Sequence, residues 1–163
     1  MEFPLGLKRA AAMIILRADD QYLLLKRAKA PNQGMYVPVG GKLDPHEDPY
    51  SAALREAYEE TGICVEELRY AGVLVESSPV KYNWWCNIYI ADIPWQAAPS
   101  CDEGELHWLN LEQIKTIPTP PTDWHIYQYV IRGQAFALNA IYNEHLELIS
   151  MKEEIENKQL VGR

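Results

Sequence analysis

Residues 48 to 62 constrain this chain most, because both ends of a helix are written there and nothing between them breaks it. Asp48 is a preferred N-cap residue, and Pro49 suits the first helical position, where its missing N–H leaves no bond unmade. Gly62 supplies the left-handed residue on which helices commonly stop. The interval predicts a helix of about 13 residues, near the globular average. On a helical wheel Glu56, Glu59 and Glu60 fall within about 100° of one another. Leu54, Ala57, Tyr58 and Thr61 then form the opposite face, available to pack on a sheet.

The segments around this helix read mostly as strands. Leu7 to Arg17 is apolar and turns at Ala18-Asp19-Asp20. Gln21 to Arg27 returns with an unbroken apolar run, Tyr22 to Leu25, which suggests a central strand. A loop through Pro31, Asn32 and Gly34 leads to the short stretch Met35 to Val39 and then Gly40-Gly41. Leu68 to Ser77 is a strand. Val80 to Ile93 alternates, with Val80, Tyr82, Trp84, Cys86, Ile88 and Ile90 on one face, after a Ser78-Pro79 turn. Pro94 to Asp102 reads as a linker, Glu105 to Asn110 as a strand and Leu111 to Ile114 as a helical turn. Three prolines between 118 and 121 stiffen a loop before a helix over Thr122 to Arg132. Ala135 to Tyr142 and Glu144 to Met151 suggest a hairpin, and residues 152–163 a charged tail that frays. The reading is one domain over residues 1–163, of α/β class.

Three glutamates on one helix face repel. The pairs Glu56–Glu59 and Glu56–Glu60 each cost roughly 0.2–0.5 kcal/mol, and Glu47 adds to the field. A solvated acidic face is one reading of this pattern; a cation site is the other. Carboxylate oxygens without imidazole or thiolate select Mg²⁺ or Mn²⁺. Gly40-Gly41 lets backbone come close to a ligand and offers a carbonyl to an oxygen shell. Arg55, beside Glu56, suits a bidentate carboxylate clamp. A net charge of −8 argues against a nucleic-acid polymer as partner. No apolar run approaches the ~20 residues of a membrane helix, and the Met1-Glu2-Phe3-Pro4 start shows no leader pattern. Cys64, Cys86 and Cys101 lack metal-binding spacing and suggest reduced, buried thiols in a cytoplasmic protein.

The order Gly41, five residues, Glu47, seven residues, Arg55-Glu56-Ala57-Tyr58-Glu59-Glu60-Thr61-Gly62-Ile63 resembles the signature of the Nudix hydrolases, with Ala57 smaller than the usual aliphatic residue. Seven fixed residues at roughly 7% usage each coincide by chance about once in 10⁸ windows. The resemblance runs over nearly the whole chain. It implies an α/β/α sandwich around a mixed sheet, with a loop-helix-loop catalytic box. It also implies a Mg²⁺-dependent enzyme (Mn²⁺ substituting) that cleaves a diphosphate bond in a small nucleotide-like substrate. Carried over by position, the metal ligands are Glu56, Glu59 and Glu60 with the Gly40 carbonyl and Glu103. The water-activating base is Glu56 or Glu103; solvation is the alternative for Glu103. Arg27 and Lys42 are candidate phosphate contacts, or ordinary surface charges.

The C-terminal half is similar to enzymes that hydrolyse oxidised purine nucleoside triphosphates, such as 8-oxo-dGTP, to the monophosphate and pyrophosphate. There Pro121-Thr122-Asp123-Trp124 matches a segment that reads the base, with Asp123 as the retained acid of a pair and Trp124 as a stacking face. Asp123 as a helix cap is the competing reading. Pro79, about sixteen residues past the box, resembles a mark of some ADP-ribose hydrolases, and a non-catalytic nucleotide sensor is the alternative of another class. A monomer and a homodimer are both compatible with the sequence.

Overall fold

The computed structural model describes residues 4–163; Met1 to Phe3, part of the start read above for a leader, lie outside the described residues. The first hairpin joins β1 (Arg9–Ala18) to β2 (Gln21–Arg27), and β3 (Tyr36–Val37) and β4 (Val39–Lys42) lead into α1 (Pro49–Thr61). The chain continues through β5 (Arg69–Ser77), β6 (Trp84–Asp92), β7 (Ser100–Cys101) and β8 (Gly104–Asn110) to α2 (Leu111–Ile114) and α3 (Asp123–Ile131). It ends with β9 (Phe136–Tyr142), β10 (Leu148–Glu153) and β11 (Lys158–Val161).

One mixed sheet carries all of this, ordered β11-β10-β9-β5-β6-β1-β2-β8-β7. β1 runs parallel to β6 and β5 parallel to β9, while the remaining pairs are antiparallel. The edge of β1 is divided between two partners. Its last residues, Leu16 to Ala18, pair with β2, and Ala11 to Ile14 pair with β4. That division lets β4 place Gly40 opposite Met13 and Gly41 opposite Ala12.

Two cores cover the two faces. Ala12, Ile14 and Leu16 meet Ala52, Ala53 and Ala57 of α1 on one side. Ile15, Tyr22, Leu74 and Ile88 meet Ile126, Tyr127 and Val130 of α3 on the other. The α/β/α layering expected from the sequence is therefore present. The unbroken run Tyr22 to Leu25 is buried throughout and lies between β1 and β8, with Leu23 and Leu25 in the α1 core and Tyr22 and Leu24 in the α3 core.

Three expectations need correction. Residues 152–163 do not fray: β11 pairs with β10, and the fully buried Glu153 carboxylate accepts the N–H groups of Ala137, Ile155 and Glu156. Those bonds satisfy the charge and tie the turn to β9. Second, β6 begins at Trp84 rather than Val80. The buried Asn83 side chain accepts from Lys8 Nζ and the Ser78 N–H and donates to the Val80 carbonyl, which folds residues 78–83 into a loop. Third, all three cysteines are free but only Cys86 is buried; Cys64 is exposed. No helix among the described residues is long and apolar enough to cross a membrane.

Candidate active site

Helix α1 forms as its end signals require. Asp48 accepts the Ser51 N–H at 2.8 Å, and Gly62, left-handed at φ 72°, donates its N–H to the Tyr58 carbonyl. The packing face differs from the one drawn on the wheel. Ala52, Ala53, Ala57, Glu60 and Thr61 are buried, whereas Tyr58 is 57% exposed. Three alanines bring the helix axis close to β1, and closeness turns Glu60 inward to the glycine strand. Its Oε2 accepts the Gly40 N–H at 3.0 Å.

Gly41 faces Glu56. A methyl group on Gly41 would stand 2.5 Å from Glu56 Oε1, inside van der Waals contact. Gly41→Ala is therefore expected to push the Glu56 carboxylate aside and lower turnover by a factor of about 10–100, the range for mispositioned catalytic groups. Steady-state rates beside a thermal melt check this; unchanged turnover would show that Glu56 is not held against the glycine strand.

Arg55 organises the cluster. Its Nε and Nη2 clamp Glu47 bidentately at 2.8 Å each, Nη1 donates to Glu56 at 2.9 Å and to Glu59 at 3.1 Å, and Nη2 also reaches the Lys42 carbonyl at 3.1 Å. The clamped carboxylate is thus Glu47, and Glu56 receives a single bond. Glu47 relieves the repulsion by neutralising against Arg55, which pulls its pKa down to about 2. Burial raises the pKa of Glu56, with Arg55 opposing and Glu59 and Glu103 adding to the rise. Burial raises that of Glu60 too, against the Gly40 N–H and with Glu103 and Glu56 behind it. Glu56, Glu59, Glu60 and Glu103 therefore share one field, with Glu103 brought in from the β7–β8 turn.

Among the described residues no three carboxylate, imidazole or thiol side chains converge as a ready coordination shell. The guanidinium of Arg55 sits instead among Glu47, Glu56 and Glu59 and supplies positive charge there. The donor chemistry nevertheless fits a hard divalent cation. The atoms the cluster would offer a cation are all oxygens, and burial penalises the uncompensated charge on Glu56 and Glu60.

The remaining candidates fall in two places. Arg27 is spent on the loop after β2, where its Nε donates to the Pro31 carbonyl at 2.7 Å and to that of Lys29 at 3.4 Å. Lys42 is exposed at the end of β4. Asp123 and Trp124 lie on the other face of the sheet. Asp123 does not cap α3: Thr122 is the N-cap residue and makes no side-chain cap bond, while Asp123 is 3% exposed and accepts from the Thr122 hydroxyl at 3.2 Å. Burial, reinforced by Glu76, pushes its pKa up to about 8. Trp124 is half-buried, with Lys115 Nζ 5.6 Å from its ring centre.

Glu76 escaped the sequence reading. It is 7% exposed and accepts from the hydroxyls of Tyr142 at 2.6 Å and Tyr82 at 3.4 Å. The signal was available: Leu74 and Glu76 occupy successive inward positions of β5, so an acid stands where the alternation calls for an apolar residue.

The Nudix domain model matches residues 6–130. The Bacillus subtilis protein named as the uncharacterized Nudix hydrolase YvcI is 29% identical over 144 residues, covering 85% of this chain and 89% of its own. Among solved structures, the mutator MutT protein of Bacillus halodurans superposes with a TM-score of 0.79 at 24% identity, covering 90% of this chain and 98% of that one. The NUDIX domain of Shewanella oneidensis NrtR, solved with ADP ribose, gives 0.65 at 18% identity over 80% of this chain and 90% of that one. With the box residues gathered around Gly40 and Gly41 and a domain match over most of its length, the chain belongs to the Nudix family, the hydrolases of phosphoric anhydride bonds.

Proposed function

We propose that this enzyme is a Mg²⁺-dependent nucleoside triphosphate pyrophosphohydrolase, releasing a monophosphate and pyrophosphate, with an oxidised purine nucleotide such as 8-oxo-dGTP as the preferred substrate. The observation that carries the reading is the presence of two acidic clusters, one on each face of the sheet. One, around Glu56 and Glu60, faces the glycine strand. The other, around Asp123, is enclosed by aromatic side chains after the Pro118–Pro121 loop. The first suits phosphates and their cation, the second a base.

Water adds to a phosphorus atom, the P–O anhydride bond opens towards pyrophosphate, and the water proton passes to a carboxylate, Glu56 or Glu103. Glu59 and Glu60 with the Gly40 carbonyl would hold the cation, which when bound would polarise the phosphoryl oxygens and lower the pKa of the attacking water. Arg55 fixes Glu56 and the Glu47 loop. Lys42 meets a phosphate, while Arg27 braces the loop after β2. Asp123 reads the base edge and Trp124 offers a stacking face.

The deciding experiment is pyrophosphate or monophosphate release from 8-oxo-dGTP, dGTP, dCTP, ADP-ribose and NADH with Mg²⁺ present. Fastest turnover of a purine triphosphate is the expected result. A preference for ADP-ribose would move the reading to nucleoside diphosphate hydrolysis, and no turnover of any to a nucleotide sensor. Millimolar Mg²⁺ or Mn²⁺ is also expected to raise the melting temperature. Binding to the native state alone contributes about 2.7 kcal/mol at a hundredfold excess over Kd. An ion that altered neither stability nor rate would remove the metal assignment.

A further inference from the structure

We propose that the sheet face which α1 leaves bare, on β6, β5 and β9, is where two copies of this chain meet as a reversible homodimer.

Helix α1 covers only part of its side of the sheet. Among the described residues, the core beneath it takes none from β5, β9 or β10. The α3 core on the opposite face takes Leu74, Leu138, Ala140 and Met151 from those three strands. Alternation therefore turns Val73 and Val75 of β5, and Ala137, Asn139 and Ile141 of β9, to the bare side. The register sets Trp85 beside Val75 and Asn87 beside Val73. It continues across β5, with Val75 beside Asn139 and Val73 beside Ala137. Trp85 is 50% exposed and Ile141 46%.

A sheet face that meets water ordinarily alternates to polar residues. Here most of the outward positions are apolar and none of those named is charged, in a chain with 23% charged residues. The two amides are already engaged. Asn87 Oδ1 accepts from the Tyr70 hydroxyl at 2.9 Å, and the Asn139 amide donates to Glu154. Covering this face leaves few polar atoms unpaired, and contiguous apolar patches of this kind mark interaction sites.

Charge selects the occupant. The chain carries a net −8, so two copies repel over most of their surface. At the margin of this face the signs cancel: Lys152 and Glu154 stand on the β10 side, and Arg69 pairs with Asp92 at 3.4 Å where β5 begins. Copies close here without like-charge contact. The shape is self-matching as well. Two sheets of the same twist pack face to face about 10 Å apart. A two-fold axis along β5 sets Val73 and Val75 against their counterparts, and the bulky Trp85 against the small Ala137 and Asn139. A charged partner finds nothing here to pair with, whereas a second copy brings the same uncharged surface.

From β6 to β10 is three strand spacings, about 14 Å, and from Tyr70 to Ser77 about 23 Å. A patch of that size falls at the low end of specific interfaces, which bury about 600 Å² or more per partner, so the dimer is expected to dissociate on dilution. β1 stands between this face and β4, which leaves the glycine strand open in both copies.

Sedimentation velocity of the full chain from about 1 to about 500 μM measures the equilibrium. The wild type is expected to pass from monomer to twice the monomer mass over that range. Trp85→Lys, which sets a charge in the middle of the face, is expected to weaken association by about tenfold or more. Ile141→Lys charges the same face from a half-exposed position and serves where a thermal melt shows that Trp85→Lys does not fold; it is expected to weaken association in the same direction. A wild type that stays monomeric throughout overturns the proposal. So does an unchanged dissociation constant in the folded variant, because the copies then meet through another surface.

Discussion

Glu59→Gln is expected to lower turnover by a factor of about 100 or more, the scale on which charge stabilisation in metal and oxyanion sites acts, with almost no effect on folding. The geometry separates the two. The Glu59 side chain is 56% exposed and pairs with Arg55 at 3.1 Å. An exposed i,i+4 pair contributes about 0.3–0.5 kcal/mol, and removing a like charge beside Glu56 returns a similar amount. Turnover therefore reports on the cation and the melt on the helix. Pyrophosphate release and a thermal melt of the same preparation measure both. Wild-type turnover would return the acidic face of α1 to a solvated surface; an unfolded variant would show that Glu59 holds the fold.

The box was legible because its meaning lies in local spacing. Asp48, Pro49 and Gly62 act within one turn of their own positions, so the helix bounds follow from the chain itself. The rotation of that helix did not. Whether Tyr58 or Glu60 turns inward depends on Ala52, Ala53 and Ala57 seating the helix against β1, a contact between segments about forty residues apart. Two misreadings have one cause. Glu153 and Glu76 are acids buried by long-range partners, the first by the Ala137 N–H and its own turn, the second by the Tyr142 hydroxyl. Charge in the sequence suggested solvent for the one and hid the inward register of the other. Asp123 was found through the proline loop and the resemblance, and a carboxyl set beside Trp124 was expected to lose hydration; what the sequence did not show was Glu76, which adds its field to that burial.

That burial makes Asp123→Asn the most informative change on the α3 face. An ordinary Asp titrates near 3.9 in the unfolded chain, while in the fold burial and the field of Glu76 hold the Asp123 proton to about pH 8. Between those values the native state binds more protons than the unfolded state, so stability is greatest below about pH 4 and declines as pH rises to about 8, then levels off. Asn carries no titrating proton. The variant is expected to lose this decline and to gain on the wild type as pH increases, by on the order of 2–4 kcal/mol at pH 8.5 relative to pH 5. Denaturant melts at the two pH values measure it, and parallel wild-type and variant profiles would show that Asp123 is ionised throughout. Activity should move separately. If Asp123 faces the base, kcat/KM for the preferred nucleotide falls by about tenfold or more while poor substrates change little, and the upper limb of the pH–rate profile shifts because the donor no longer titrates. A uniform loss across bases, with the stability change intact, would leave Asp123 as a buried acid of the fold and remove it from substrate recognition.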